Sequence, residues 1–100
     1  MRYLDFELSE GSDGVTTLDA MASTPADRHA DVLAEADEVL AWCRREFPHT
    51  QGPVDEGMDW DHDLQVSVEA GGWHTVTLTL TGSARFVDAF LPVFFGASAG

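Results

Sequence analysis

The chain has 100 residues and a 44% hydrophobic composition, enough to fill one core and too little for two. Eighteen Asp and Glu stand against five basic residues, all Arg, for a formal charge of −13, and such a chain repels phosphate backbones and anionic membranes. No apolar run approaches the roughly 20 residues a bilayer crossing needs, and a single cysteine, Cys43, rules out an internal disulfide or a multi-cysteine zinc site.

Met1 to Ser9 reads as a strand, because Leu4, Phe6 and Leu8 alternate with Tyr3, Asp5, Glu7 and Ser9. The segment begins on this alternation rather than on the apolar stretch of a secretion signal, so a cytoplasmic protein is expected. Glu10 to Gly14 is a turn cluster. Val15 to Ser23 follows as a second, weaker strand with Leu18, Ala20 and Ala22 on one side, and the two strands form an antiparallel hairpin. Thr24 and Pro25 then suit the N-cap and first position of a helix running from about Pro25 to Glu46. Its apolar stripe is His29, Val32, Leu33, Ala36, Val39, Leu40, Cys43 and Phe47, with Trp42 about 120° away from the stripe centre. Pro48 ends it.

A connection from Pro48 to about Asp59 leads to strict alternation. Trp60, His62, Leu64, Val66, Val68 and Ala70 share one side, while Asp59, Asp61, Asp63, Gln65, Ser67 and Glu69 share the other. After Gly71 and Gly72, His74, Val76, Leu78 and Leu80 line one side and Trp73 and the Thr row the other. A two-residue Gly-Gly turn would pair apolar with polar residues along the whole hairpin. A three-residue loop, Ala70 to Gly72, pairs Val66 with Val76 and Glu69 with Trp73 and puts Gly72 in the left-handed region, so this register is expected. Ser83 caps a last short helix carrying Phe86, Phe90 and Phe94, which Pro92 should end or kink.

The order ββαββα predicts an α+β two-layer sandwich: a four-stranded antiparallel sheet with both helices on one face. A single domain is expected over 1–96, with 97–100 a frayed tail.

Chemistry-bearing patterns are sparse. Glycine-rich phosphate loops, nucleophile elbows and zinc-protease motifs are absent, so no catalytic residue and no cofactor are assigned and an enzyme is the less favoured reading. The densest feature is the acidic segment from Asp55 to Asp63. Asp59, Asp61 and Asp63 match the first three ligand positions of a calcium loop, but Leu64 stands where that loop needs Gly and Ala70 where it needs Glu. Outward carboxylates of a strand are the simpler account. The binding surface expected is Asp55, Glu56, Asp59, Trp60, Asp61, Asp63 and Trp73, docking a basic protein partner as an inhibitor, immunity-type or adaptor protein would. The alternative is a small divalent-cation-binding protein or metal-dependent enzyme using Asp59, Asp61 and Asp63, with or without His62. His62 and His74 lie about 20 Å apart along the hairpin and cannot share a metal. His29 should meet His74 at one end of the domain, and Cys43 should lie near His62 at the other; packed imidazoles and a core thiol are the ordinary reading of each pair. Phe94 and Phe95 follow a helix breaker and are candidate homodimer contacts.

Overall fold

The computed structural model describes residues 3–11 and 14–94, apart from the side chain of Asp55. Strands β1 (Phe6–Glu10) and β2 (Thr16–Pro25) form the first hairpin, and β3 (Trp60–Glu69) and β4 (Trp73–Gly82) the second. Helix α1 (His29–Glu46) joins the hairpins and α2 (Ala84–Phe94) follows β4. The sheet is antiparallel with strand order β1-β2-β4-β3, so β2 and β4 are central and pair over their whole length, from Thr16 opposite Gly82 to Pro25 opposite Trp73. This β2–β4 seam joins the two halves of the chain. The α+β architecture with its four antiparallel strands and two helices is the one the element order implies.

The second hairpin has the three-residue loop. Val66 faces Val76 and Glu69 faces Trp73, and Gly71 and Gly72 both have positive φ, 88° and 83°. Side-chain alternation settles this register, since a slip of one residue would turn Leu78 and Leu80 to water.

Both helices cover the even-numbered face. Helix α1 packs on β2 and β4, and α2 on β4. Leu18, Ala20, Val76, Leu78, Leu80, Val32, Ala36, Val39 and Cys43 are buried among them. The aromatic centre is Trp42, whose ring lies edge-on to Phe47, Phe86, Phe90 and Phe94 at 5.5–6.4 Å. Trp42 sits off the helix stripe yet is buried, because α2 packs beside α1 and widens the covered arc.

Three local features differ from the sequence expectation. The chain stays extended through Thr24 and Pro25, since both pair with β4; a 3-10 turn (Ala26–Arg28) then leads into α1 at His29. Proline's fixed φ suits strand ends as well as helix starts, and here ψ is 161°, so ladder pairing prevails over capping. Tyr3 belongs to the core side: its N–H donates to the Glu35 carboxylate at 3.0 Å and its ring packs against the core. The even face of β3 is covered only at one end. Trp60 is fully buried, but Val66 is 45% and Val68 67% exposed, because α1 lies over the central strands and stops short of this edge.

Candidate functional site on the outer face of the sheet

The helix-free face carries carboxylates and, on its strands, no described arginine. Each row across the sheet places side chains of neighbouring strands about 4.8 Å apart. One row reads Glu7, Asp19, Thr79, Asp63 from β1 to β3, and the next reads Ser9, Thr17, Thr81, Asp61. Asp5 lies against Glu7 and Asp19 in a shallow hollow of about 360 Å³ that also includes Met21 and Thr77. A second hollow of about 220 Å³ lies over Asp61, Asp63, Thr79 and Thr81. Strand alternation produces this band directly, since the residues between buried Phe6, Leu18, Ala20 and Leu80 must point outward.

The carboxylates here are answered by neutral donors. Asp19 Oδ1 accepts from the Thr79 hydroxyl at 2.8 Å, Asp63 Oδ2 from Gln65 Nε2 at 2.9 Å, and Asp61 Oδ1 from the His62 N–H at 2.9 Å. The described arginines belong to the helix layer and its connections. Arg28 lies in the 3-10 turn, Arg44 and Arg45 end α1, and Arg85 begins α2. Ion pairs among the described residues run Arg28–Asp31, Arg45–Glu46 and Arg85–Asp59, at 3.7–4.0 Å. The outer face is therefore acidic with no described arginine on its strands, while the helix layer carries the described arginines together with carboxylates such as Asp31, Glu35, Asp37, Glu38 and Glu46.

The expected site residues separate into groups. Asp61 and Asp63 stand on the acidic band and Trp73, 46% exposed, on the same face in the row Pro25, Trp73, Glu69. Asp59 instead braces the fold. Its Oδ1 accepts from the Ser83 hydroxyl at 2.9 Å, its carbonyl accepts from the Ser83 N–H at 2.8 Å, and Oδ2 meets Arg85. Trp60 belongs to the core, donating from Nε1 to the Phe47 carbonyl at 3.1 Å and stacking on Phe86. Glu56 is exposed in a short 3-10 turn, Val54–Glu56, in the connection before β3. Asp55's side chain and the whole of Phe95 lie outside the described residues. Phe94 is half-buried against Phe90 and Trp42. Among the described residues no group of three Asp, Glu, His or Cys side chains converges on a metal-sized centre. Sequence reasoning does not single out Asp19 as a site residue. Its signal is its place on the polar side of the weaker strand, and only the β2–β4 register brings it into Asp63's row.

His29 and His74 do meet, with ring centroids 4.5 Å apart. His29 Nδ1 and the Thr24 hydroxyl beside this pair are buried without a partner among the described residues, while His74 Nδ1 approaches the Gly72 carbonyl at 3.2 Å. His62 instead stacks on Trp60 and faces Gln51 Nε2 at 3.2 Å. Cys43 is wholly buried, and burial pushes its thiol up to about 12 despite the opposing charge of Arg44. It is a packed, protonated thiol rather than a nucleophile.

Among the described residues no helix is long and apolar enough to cross a membrane. Comparisons of the chain with protein-family models, with curated proteins and with solved structures found no match.

Proposed function

We propose that this protein is a small, non-enzymatic interaction module that docks a basic protein partner on the outer face of its sheet. The observation that carries the reading is a sheet face of carboxylates with no described cation among them. Asp5, Glu7, Asp19, Asp61, Asp63 and Glu69 share a face whose strands hold no described Arg, while Arg28, Arg44, Arg45 and Arg85 lie elsewhere. A flat field of one sign raises the encounter rate with an oppositely charged surface and rejects anionic ones. Lysine and arginine side chains of a partner would find carboxylate acceptors at strand spacing. Nucleic acid and anionic lipid are excluded from the partners proposed by the same field. A cytoplasmic setting belongs to this reading and suits the lone, buried thiol of Cys43.

The test is capture at low and high ionic strength with the wild type beside the variant Asp19→Asn/Asp61→Asn/Asp63→Asn. A basic protein held by the wild type, eluted by salt and not held by the variant is the expected result. Equal capture by both forms refutes the reading.

A further inference from the structure

The hydrogen bonding of β3 leaves one strand edge open. Trp60 donates its N–H to the Thr50 carbonyl and accepts from the Gly52 N–H, so both its backbone groups point away from β4. Backbone groups alternate along a strand. Those of His62, Leu64, Val66 and Val68 therefore point to the same outer edge, while the odd-numbered residues bond to β4. The connection before β3 covers the edge at Trp60, and the Asp61 side chain takes the His62 N–H. Beyond that, the N–H and C=O groups of Leu64, Val66 and Val68 meet no described partner. The segment Leu64-Gln65-Val66-Ser67-Val68 has no charge, no proline and no glycine. Charge and proline are the devices by which edges are usually blunted. Its even side chains Val66 and Val68 are the ones the helices leave exposed.

We propose that the open edge of β3 receives an extended basic segment of a partner protein by strand addition, its apolar side chains covering Val66 and Val68 and its basic ones facing Asp61, Asp63 and Glu69. The inference rests on the acidic-module reading and adds the manner of docking. Charge chooses the occupant. A second copy would bring a further −13 to the same edge, whereas a strand alternating Lys or Arg with Val or Ile matches both faces at once. Main-chain bonds from Leu64, Val66 and Val68 would supply the register, and the period of two would sort the side chains.

The probe is a synthetic peptide of alternating Lys and Val, about eight residues long, which spans the open edge. Its comparators are a block peptide of the same composition and a version N-methylated on the alternate amides. Val66→Pro removes an N–H that serves only the open edge, so the ladder to β4 stays intact. Val68→Lys is a second variant that needs no backbone change, and melting curves check that both fold. The expected result is that the alternating peptide binds and slows amide exchange at Leu64, Val66 and Val68. N-methylation, block order, Val66→Pro and Val68→Lys should each weaken binding at least about tenfold. Should Val66→Pro unfold the chain, Val68→Lys and the methylated peptide decide. Strand addition is overturned, with the acidic reading left standing, if the edge variants bind like wild type while Asp61→Asn/Asp63→Asn does not. Failure of every basic peptide to bind overturns both. A concentration-dependent dimer that Val66→Pro abolishes assigns the edge to a second copy and also overturns the proposal.

Discussion

Gly82 sits where β4 turns into α2, and a Cβ built on it would lie 2.4 Å from Phe86 Cδ2. The ring cannot retreat, because Phe86 is held between Trp60, Phe47 and Trp42. Gly82→Ala should therefore cost about 1–3 kcal/mol, the usual penalty for overpacking a filled core. Thermal melting would register this as a fall of roughly 4 °C or more. Cys43 gives a second prediction at this scale. Its thiol is raised by burial from 9.0 to about 12, so between those values the unfolded chain loses the proton while the folded chain keeps it. The unfolded state then binds fewer protons and stability falls as pH rises, by up to about 1.4 kcal/mol per pH unit. The contribution is intact below pH 9.0 and lost as pH climbs through about 12. Urea denaturation of wild type and Cys43→Ala across roughly pH 8 to 11 should show the extra slope in the wild type alone. Parallel profiles would mean the thiol titrates normally.

Helix α2 is tied to the start of β3 by two hydrogen bonds that Ser83 donates to Asp59. The Ser83 hydroxyl accepts from the Phe86 N–H at 3.3 Å and donates to Asp59, whose main-chain carbonyl takes the Ser83 N–H. Ser83→Ala should cost about 1 kcal/mol through the lost cap. Asp59→Ala should lose part of the same energy, so the double variant will be more stable than the sum of the singles implies, by roughly 0.5 kcal/mol or more in a melting-based cycle. Strict additivity would mean that the two side chains act independently. This element also shows what a sequence can disclose. The cap and the Phe86, Phe90, Phe94 repeat are local, and so is the parity that fixes the β3–β4 register; each is readable from neighbours in the chain. The β2–β4 seam is not, because it joins residues some 60 positions apart and depends on which edges remain free after both hairpins close. Thr24 and Pro25 carry a helix-start signature that the seam overrides. Parity puts Trp60 on the covered side, whereas its acidic neighbours point to a surface residue; the structure buries it completely. The bare end of β3 is not legible in the sequence, since alternation tells which side chains face the helices but not how far the helices reach.

Across the whole molecule, the acidic band holds carboxylates closer together than folding alone would favour. Glu7 stands directly opposite Asp19, and Asp63 follows across Thr79 in the same row, with no described Arg on these strands. Like charges placed opposite each other on one sheet face oppose folding. If the band exists for docking, removing a charge should stabilise the fold while weakening its use. Glu7→Gln keeps the side-chain volume and leaves the Asp19–Thr79 hydrogen bond in place. It should raise stability by roughly a few tenths of a kcal/mol at low salt, because the repulsion it relieves is exposed and only modest. The gain should shrink by about 0.5 M NaCl, where the screening length falls to roughly 4 Å, below the distance between neighbouring strands. Melting of wild type and Glu7→Gln over a salt series, run beside binding of a basic peptide in the same buffers, separates the two effects. A stabilised variant with weakened binding marks a surface kept acidic against the preference of the fold. A variant that is no more stable, or whose gain persists in salt, would show that Glu7 and Asp19 do not repel across the sheet and that the band carries no such tension.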